Sequence, residues 1–134
     1  MMRSRSASSH PRIVADFRPW VGITYEPPHG CFRLVEQVYR ECYGIELAGL
    51  DAGIEPWDKT SRLQRLHAEL ARLCIEVDSP QEGDVILMCR GGHIGLAIRP
   101  GVMLHSYRGG ASCIEDYRDM RWRNRITGFY RYSP

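Results

Sequence analysis

The spacing of apolar residues changes at Pro80, and this change limits the chain to folds in which helices precede a sheet. Before Pro80, Leu34, Val35 and Val38 recur at spacings of three and four, which is the period of one helical face. After it, short runs of aliphatic and β-branched residues alternate with turns that contain Gly or Pro. We therefore expect an α+β fold, with N-terminal helices packed on an antiparallel β-sheet of about five strands.

The boundaries of these elements follow from local signals. The first helix starts near residue 32, and Gly44 is placed to end it in a left-handed conformation. A second helix covers "KTSRLQRLHAELARLC", residues 59–74, with Asp58, Thr60 or Ser61 as its N-cap. Four predicted strands form an antiparallel meander, "GDVILMC", "HIGLAI", "VMLHSY" and "SCIEDY", and the last run, "ITGFYRY", is a candidate for one more strand.

Length and charge bound the class of protein. The 134 residues suit one domain, which we place at 13–134, behind a flexible basic arm at 1–12. A formal net charge of +2 does not indicate a nucleic-acid partner, and the arginines near the C-terminus are mixed with acidic residues. No apolar run reaches the roughly 18 residues of a membrane helix, and the N-terminus lacks the apolar core of a secretory signal. We expect neither a nucleic-acid partner nor a membrane span.

Five cysteines lie at positions 31, 42, 74, 89 and 113, without any CxxC motif. This odd, irregular set does not predict a disulfide framework, so we expect a reducing, intracellular place of synthesis. Cys89 and His93 have a CxxxH spacing but lack a second ligand pair, and we expect no metal and no cofactor. Cys42, Cys74 and Cys89 lie in apolar runs and are interpreted as core residues.

Cys31 admits two interpretations. It lies on the apolar face of the first helix, where a buried core thiol is the ordinary outcome. It also lies in the first turn, where unpaired backbone N–H groups and the helix dipole stabilise a thiolate. A nucleophilic role requires a base, and the histidines are His10, His29, His67, His93 and His105.

Two of these histidines are candidates for a catalytic pair. His67 lies among leucines on the second helix and is interpreted as a half-exposed structural residue. If Arg99, Pro100 and Gly101 form a three-residue loop, residue 95 faces 105, and His93 and His105 share a sheet face as diagonal neighbours. With a two-residue loop at Pro100 and Gly101 they lie on opposite faces.

Three segments of the chain resemble the NlpC/P60 family of papain-like cysteine peptidases, in particular the small versions from phage tail-assembly modules. They are "WVGITYE…HGCFRLVEQVYRECYGIEL", "GDVILMCRGGHIGLAI" and "VMLHSYRGGASCIEDYRDMRWRNRITGFYRY", which together span most of residues 20–132. The resemblance rests on the order of the motifs: a cysteine on the first helix, Gly-Asp before the sheet, a histidine opening a strand and a polar residue one strand later.

The resemblance implies a papain-like core and a set of roles. Cys31 would be the nucleophile, His93 the general base and His105 the residue that orients its ring. Tyr25 would line the substrate site. The mechanism would start from a Cys31–His93 thiolate–imidazolium pair.

Members of the family typically cleave the peptide stems of bacterial peptidoglycan. The implied protein is a hydrolase and viral thiol protease that opens the wall during tail penetration. Its partners would be peptidoglycan stems and tail-tip or hub proteins. It would be made in the cytoplasm of the bacterial host and would lie in the virion tail if incorporated. An acyltransferase or amidase with the same residues is also compatible with the sequence.

Two positions differ from the family pattern. Gly30 replaces an acidic residue before the cysteine, and Arg33 replaces a small residue two places after it. Arg33, in the first helical turn, would either stabilise a thiolate and contact substrate or obstruct the groove. These differences give the alternative prediction: a catalytically weak or inactive structural component of the phage tail tip or its assembly.

Overall fold

A computed structural model of the protein describes residues 16–25, 30–47, 59–106 and 109–134. The expected N-terminal arm, His10, His29 and the capping residue Asp58 lie outside these ranges. Within them, the chain is α+β, with two α-helices and one six-stranded antiparallel sheet. The helices are α1 (Gly30–Val38) and α2 (Lys59–Leu73). The strands are β1 (Cys74–Val77), β2 (Val85–Met88), β3 (His93–Arg99), β4 (Val102–Ser106), β5 (Ser112–Asp116) and β6 (Ile126–Tyr132).

The first helix ends as the sequence predicts. After Val38 the chain widens into a π-helical turn, Tyr39–Tyr43, and Gly44 follows with φ of +67°. Its N–H donates to the carbonyl of Arg40, and the N–H of Ile45 donates to that of Tyr39. Gly44 therefore satisfies carbonyls that the end of a helix would otherwise leave without donors.

The sheet has six strands, and the sequence predicted five of them. The missing one is β1, which begins at Cys74, where the periodicity predicted the last residue of α2. The strand order is β1-β6-β2-β3-β4-β5. Strands β2 to β5 form the expected meander, and β6 lies between β1 and β2.

Two apolar clusters cover the two faces of the sheet, because alternate residues of a strand point to opposite sides. On one face, helix residues that include Val35, Val38 and Leu66 pack against Ile94 and other residues of the strands. On the other, the segment after β5 folds back and buries a second cluster, which contains Ile86, Met88, Ala97, Met103, Tyr117 and Trp122. The helices therefore lie on one side of the sheet.

A buried ion pair connects the loop before β2 to β6. The carboxylate of Asp84 is fully buried and accepts two hydrogen bonds from the guanidinium of Arg131, at 3.0 and 2.8 Å. It also accepts from the backbone N–H of Gln81, at 2.7 Å. The Gly-Asp motif of the sequence therefore has a structural role in this fold.

No helix in the described ranges combines the length and the apolar character needed to cross a bilayer.

Candidate functional site

The register between β3 and β4 places the two candidate histidines on one face of the sheet. Gly95 is the cross-strand partner of His105, as the three-residue loop predicted. At the turn itself, however, Arg99 pairs with Val102, and the register shifts between Ala97 and Arg99. The turn itself therefore has two residues, and the shift moves the pairing by one residue beyond it. As a result His93 and His105 are diagonal neighbours on the same face.

A chain of hydrogen bonds extends from His93 across β4 to β5. Nε2 of His93 lies 2.7 Å from Nδ1 of His105. Nε2 of His105 lies 2.7 Å from Oε1 of Glu115. His105 is fully buried, and the Glu115 side chain is about one quarter exposed. Three side chains from three adjacent strands are therefore connected in a line.

The carboxylate at the end of this chain sets the protonation of both rings. A carboxylate only accepts hydrogen bonds, so Nε2 of His105 carries a proton and its Nδ1 carries a lone pair. That lone pair accepts the N–H at Nε2 of His93. A neutral His93 then carries its lone pair on Nδ1, which is the form a general base requires.

Trp122 closes the site on the side away from the helices. Its indole stacks on His93, with ring centroids 5.6 Å apart and planes 19° apart, and meets His105 edge-on at 5.0 Å. Its Nε1–H donates to Oε1 of Glu115 at 3.1 Å. Arg121 NH1 lies 3.6 Å from the other carboxylate oxygen. The indole therefore fixes both the rings and the carboxylate.

Burial keeps both histidines neutral near pH 7. The pKa of His93 is lowered to about 3, chiefly by burial and also by the neighbouring His105, while the charge of Glu115 opposes the shift. Burial also lowers the pKa of His105, against the raising effect of its hydrogen bond to Glu115. The environment of His93 therefore favours a neutral imidazole in the absence of substrate.

Cys31 is the second residue of α1, and only 4% of it is exposed. It belongs to the apolar cluster of the helices, which lies on one face of the sheet. The strand residues of that cluster and the histidine pair point to opposite faces of the sheet. The structure brings His93 and His105 into direct contact.

Tyr25 lies over the start of α1. The segment before it follows the beginning of β5, and its own N–H donates to the carbonyl of Gly110 at 3.0 Å. A Cβ on Gly30 would lie only 2.8 Å from Cδ2 of the Tyr25 ring. Glycine at position 30, where the family pattern has an acidic residue, thus allows the ring to rest on the helix.

A groove of about 310 Å³ opens beside this helix start. Arg33 lines it, together with Gln37 on the next turn of α1 and Ser106 at the end of β4. Arg33 is exposed, so its guanidinium can meet a molecule that enters the groove.

The remaining cysteines and His67 differ in how well they were predicted. Cys74 is buried, as expected, and Cys42 is half-buried. Cys89 is exposed, so its interpretation as a core residue was wrong; the chain turns out of the sheet there, with φ of +56° at Cys89 and +55° at Arg90. His67 is exposed beside Tyr130, with ring centroids 6.3 Å apart.

The sequence analysis missed Glu115 and Trp122. Glu115 had a detectable signal, because the β4–β5 register pairs His105 with Cys113 and so places residue 115 diagonally across from His105. Trp122 had none, since its position depends on how the segment after β5 turns back.

Comparisons of the sequence with models of known protein families and with curated proteins found no match in either case.

Proposed function

We propose that the chain is a papain-like cysteine peptidase of the NlpC/P60 type that cleaves peptide stems of bacterial peptidoglycan as a component of a phage tail. The observation that carries the proposal is the chain His93–His105–Glu115, which leaves a neutral imidazole with its lone pair on Nδ1. Titratable groups whose pKa is strongly shifted by burial next to a charged partner are concentrated at functional sites. The order of motifs in the sequence is the reason for proposing Cys31 as the nucleophile and peptide stems as the substrate.

The proposed reaction starts with transfer of the Cys31 thiol proton to Nδ1 of His93. The thiolate attacks the amide carbonyl, and backbone N–H groups at the start of α1 stabilise the tetrahedral oxyanion. His93 then donates its proton to the leaving amine, which yields an acyl-enzyme. A water molecule deprotonated by His93 hydrolyses the thioester.

This chemistry requires the sulfur of Cys31 and Nδ1 of His93 to come within about 3–4 Å of each other. In the proposal, Tyr25 and Arg33 contact the peptide stem in the groove beside the helix start. Arg33 is suited to the carboxylates of such stems, because a guanidinium binds a carboxylate through two parallel hydrogen bonds.

The second candidate is a catalytically silent tail-tip or assembly component with the same fold. The burial of Cys31, of which only 4% is exposed, favours it, because a core thiol is the ordinary outcome for a cysteine on an apolar helix face. In this case the groove and the arginine-rich C-terminal region serve as docking surfaces for tail proteins.

Zymography on purified cell wall separates the two candidates. We would compare the wild type with Cys31→Ala and with a matched control, Cys42→Ala, which removes a half-buried thiol from the same helical region. Lysis that is lost only in Cys31→Ala supports the peptidase. Lysis that persists in Cys31→Ala rules out Cys31 as nucleophile. An inert wild type that still supports tail assembly supports the structural component.

Selective alkylation provides a second test that needs no substrate. An activated thiol reacts through its thiolate, so Cys31 should be modified faster than the exposed Cys89 despite its burial. The rate is measured by mass spectrometry of peptides after brief treatment with iodoacetamide at neutral pH. If Cys31 reacts no faster than Cys42 or Cys74, the catalytic role fails.

A further inference from the structure

Three potential metal ligands meet where β4 and β5 pair. His105 and Cys113 are direct cross-strand partners, and Glu115 follows two residues later on the same face. One ligand atom from each lies within 4.8 Å of the other two. Sγ of Cys113 is 3.8 Å from Nε2 of His105, and Oε1 of Glu115 is 2.7 Å from that same nitrogen.

These separations suit a small tetrahedral ion. Zinc binds thiolate sulfur at about 2.3 Å and imidazole nitrogen or carboxylate oxygen at about 2.0–2.2 Å, so its ligand atoms lie roughly 3.4–3.6 Å apart. The sulfur and nitrogen are already close to that spacing. The carboxylate must move outward by less than 1 Å on this estimate, as the proton that it shares with His105 leaves.

The surroundings provide the support that metal sites usually have. Nδ1 of His105 is hydrogen-bonded to His93, which fixes the ring. The indole N–H of Trp122 orients the carboxylate. Cys113 and Glu115 are partly exposed, so an ion has a path to the site and a fourth position for water.

We propose that His105, Cys113 and Glu115 form a site for a divalent transition-metal ion of the zinc class. The thiolate ligand excludes hard cations such as Mg²⁺ and Ca²⁺, which prefer all-oxygen sites. The sequence analysis considered only the Cys89–His93 spacing for metal binding, whereas these ligands come from two adjacent strands.

Metal binding changes the protonation of the histidine pair. Cys113 releases its thiol proton to solvent. His105 presents the lone pair of Nε2 to the ion, so it carries its proton on Nδ1 and donates it to Nε2 of His93. A neutral His93 then carries its proton on Nδ1. If the proposed peptidase function holds, this removes the base, and the ion acts as an inhibitor.

Titration of the full chain with Co²⁺, a spectroscopic substitute for Zn²⁺, tests the site without reference to activity. We expect a thiolate-to-cobalt absorption band that saturates at one ion per chain and disappears when Zn²⁺ is added. Cys113→Ser should abolish the band, and the matched control Cys89→Ser, which removes an exposed thiol elsewhere, should retain it. Circular dichroism verifies that both variants are folded.

The expected losses of affinity distinguish ligands from supporting residues. His93→Gln, which removes an outer partner, should weaken Zn²⁺ binding by roughly 10–100-fold, and Cys113→Ser should weaken it by more than that. The proposal is overturned if the wild type shows no band, if the band persists in Cys113→Ser, or if Cys89→Ser abolishes it. A wild type that is inert on cell wall but binds Co²⁺ in this way contradicts the peptidase and leaves the metal site intact.

Discussion

The carboxylate of Glu115 lies 2.7 Å from Nε2 of His105, and this contact determines which nitrogen of His93 can accept a proton. Glu115 influences His93 through the ring of His105. Glu115 is therefore a positioning residue, and its effect on tautomers can be measured separately from any effect on reaction rate.

Glu115→Gln tests this positioning role. The amide can donate as well as accept, so it no longer enforces a proton on Nε2 of His105, and the two rings become mixtures of tautomers. Nitrogen NMR of the imidazoles should show a single tautomer for His93 in the wild type and a mixture in the variant. Under the proposed function, kcat should fall at least about 10-fold.

A merely structural role for Glu115 predicts a different result. The variant would then lose thermal stability while both rings retained the wild-type tautomer. Arg121→Gln is the control, since it removes the 3.6 Å contact to the carboxylate but leaves an acceptor for His105 in place.

Stability should fall in mild acid because His93 is buried in its neutral form. Its pKa is about 3 when folded, against about 6.5 in the unfolded chain. Between these values the unfolded state binds the additional proton, so the free energy of unfolding decreases as pH falls through this window. The slope from this group is up to about 1.4 kcal/mol per pH unit.

Urea denaturation at several pH values measures the slope, and His93→Gln should reduce it. The pKa of His105 is lowered in the same direction and contributes to what remains. A slope that is identical in His93→Gln and the wild type would show that His93 is not neutral when folded.

Gly30→Ala should destabilise the protein, although alanine normally stabilises a helix. The added Cβ would lie 2.8 Å from Cδ2 and 2.9 Å from Cγ of Tyr25, atoms that cannot move without the whole ring. Overpacking of this kind costs about 1–3 kcal/mol, which exceeds the roughly 1 kcal/mol gained from helix propensity.

A double-mutant cycle with Tyr25→Ala tests the cause. If the ring is responsible, Gly30→Ala should cost little or become stabilising once the ring is gone. An equal cost in both backgrounds would contradict the contact. The same cycle with Gly30→Asp tests whether the ring also excludes an acidic side chain at this position.

Arg131→Met should destabilise the fold by about 3–5 kcal/mol, because it leaves the fully buried Asp84 without its cation. Arg118→Met is the matched control. Arg118 makes a similar pair with Asp116, but both side chains are at least half exposed, so its loss should have little effect on the free energy of unfolding. Chemical denaturation of both variants gives the comparison, and equal costs would contradict the structural role of the buried pair.

Most of the secondary structure was predictable from the sequence, because β-branched runs and turn residues act locally. Strand β1 was missed since Leu70, Leu73, Cys74 and Val77 continue the helical spacing through "CIEV", where only Cys74 is buried. The position of β6 was not predictable, because alternation in "ITGFYRY" specifies which side chains face the core and not which strands are its neighbours.

The candidate site was predictable only for residues on strands, where alternate side chains point to the same face of the sheet. This alternation placed His93 and His105 on one face once the turn at Pro100 was assigned. The alternation says nothing about the position of Cys31, which lies on a helix. It also could not predict that Trp122 covers the rings, because the position of Trp122 depends on the path of a turn outside the strands. The position of Glu115 beside His105 could have been predicted from the alternation, but only if the length of the β4–β5 connection had been known.

The place of β6 in the sheet has a consequence for biosynthesis. This strand is inserted between β1 and β2, so β1 has no partner strand and β2 has an unpaired edge until residues 126–132 have left the ribosome. The helices and the β2–β5 meander can form earlier, since their contacts are local. Insertion of β6 therefore completes the sheet. Until β6 is inserted, the edge of β2 is free to pair with a strand of another chain, so this is the stage at which the nascent chain is most exposed to aggregation.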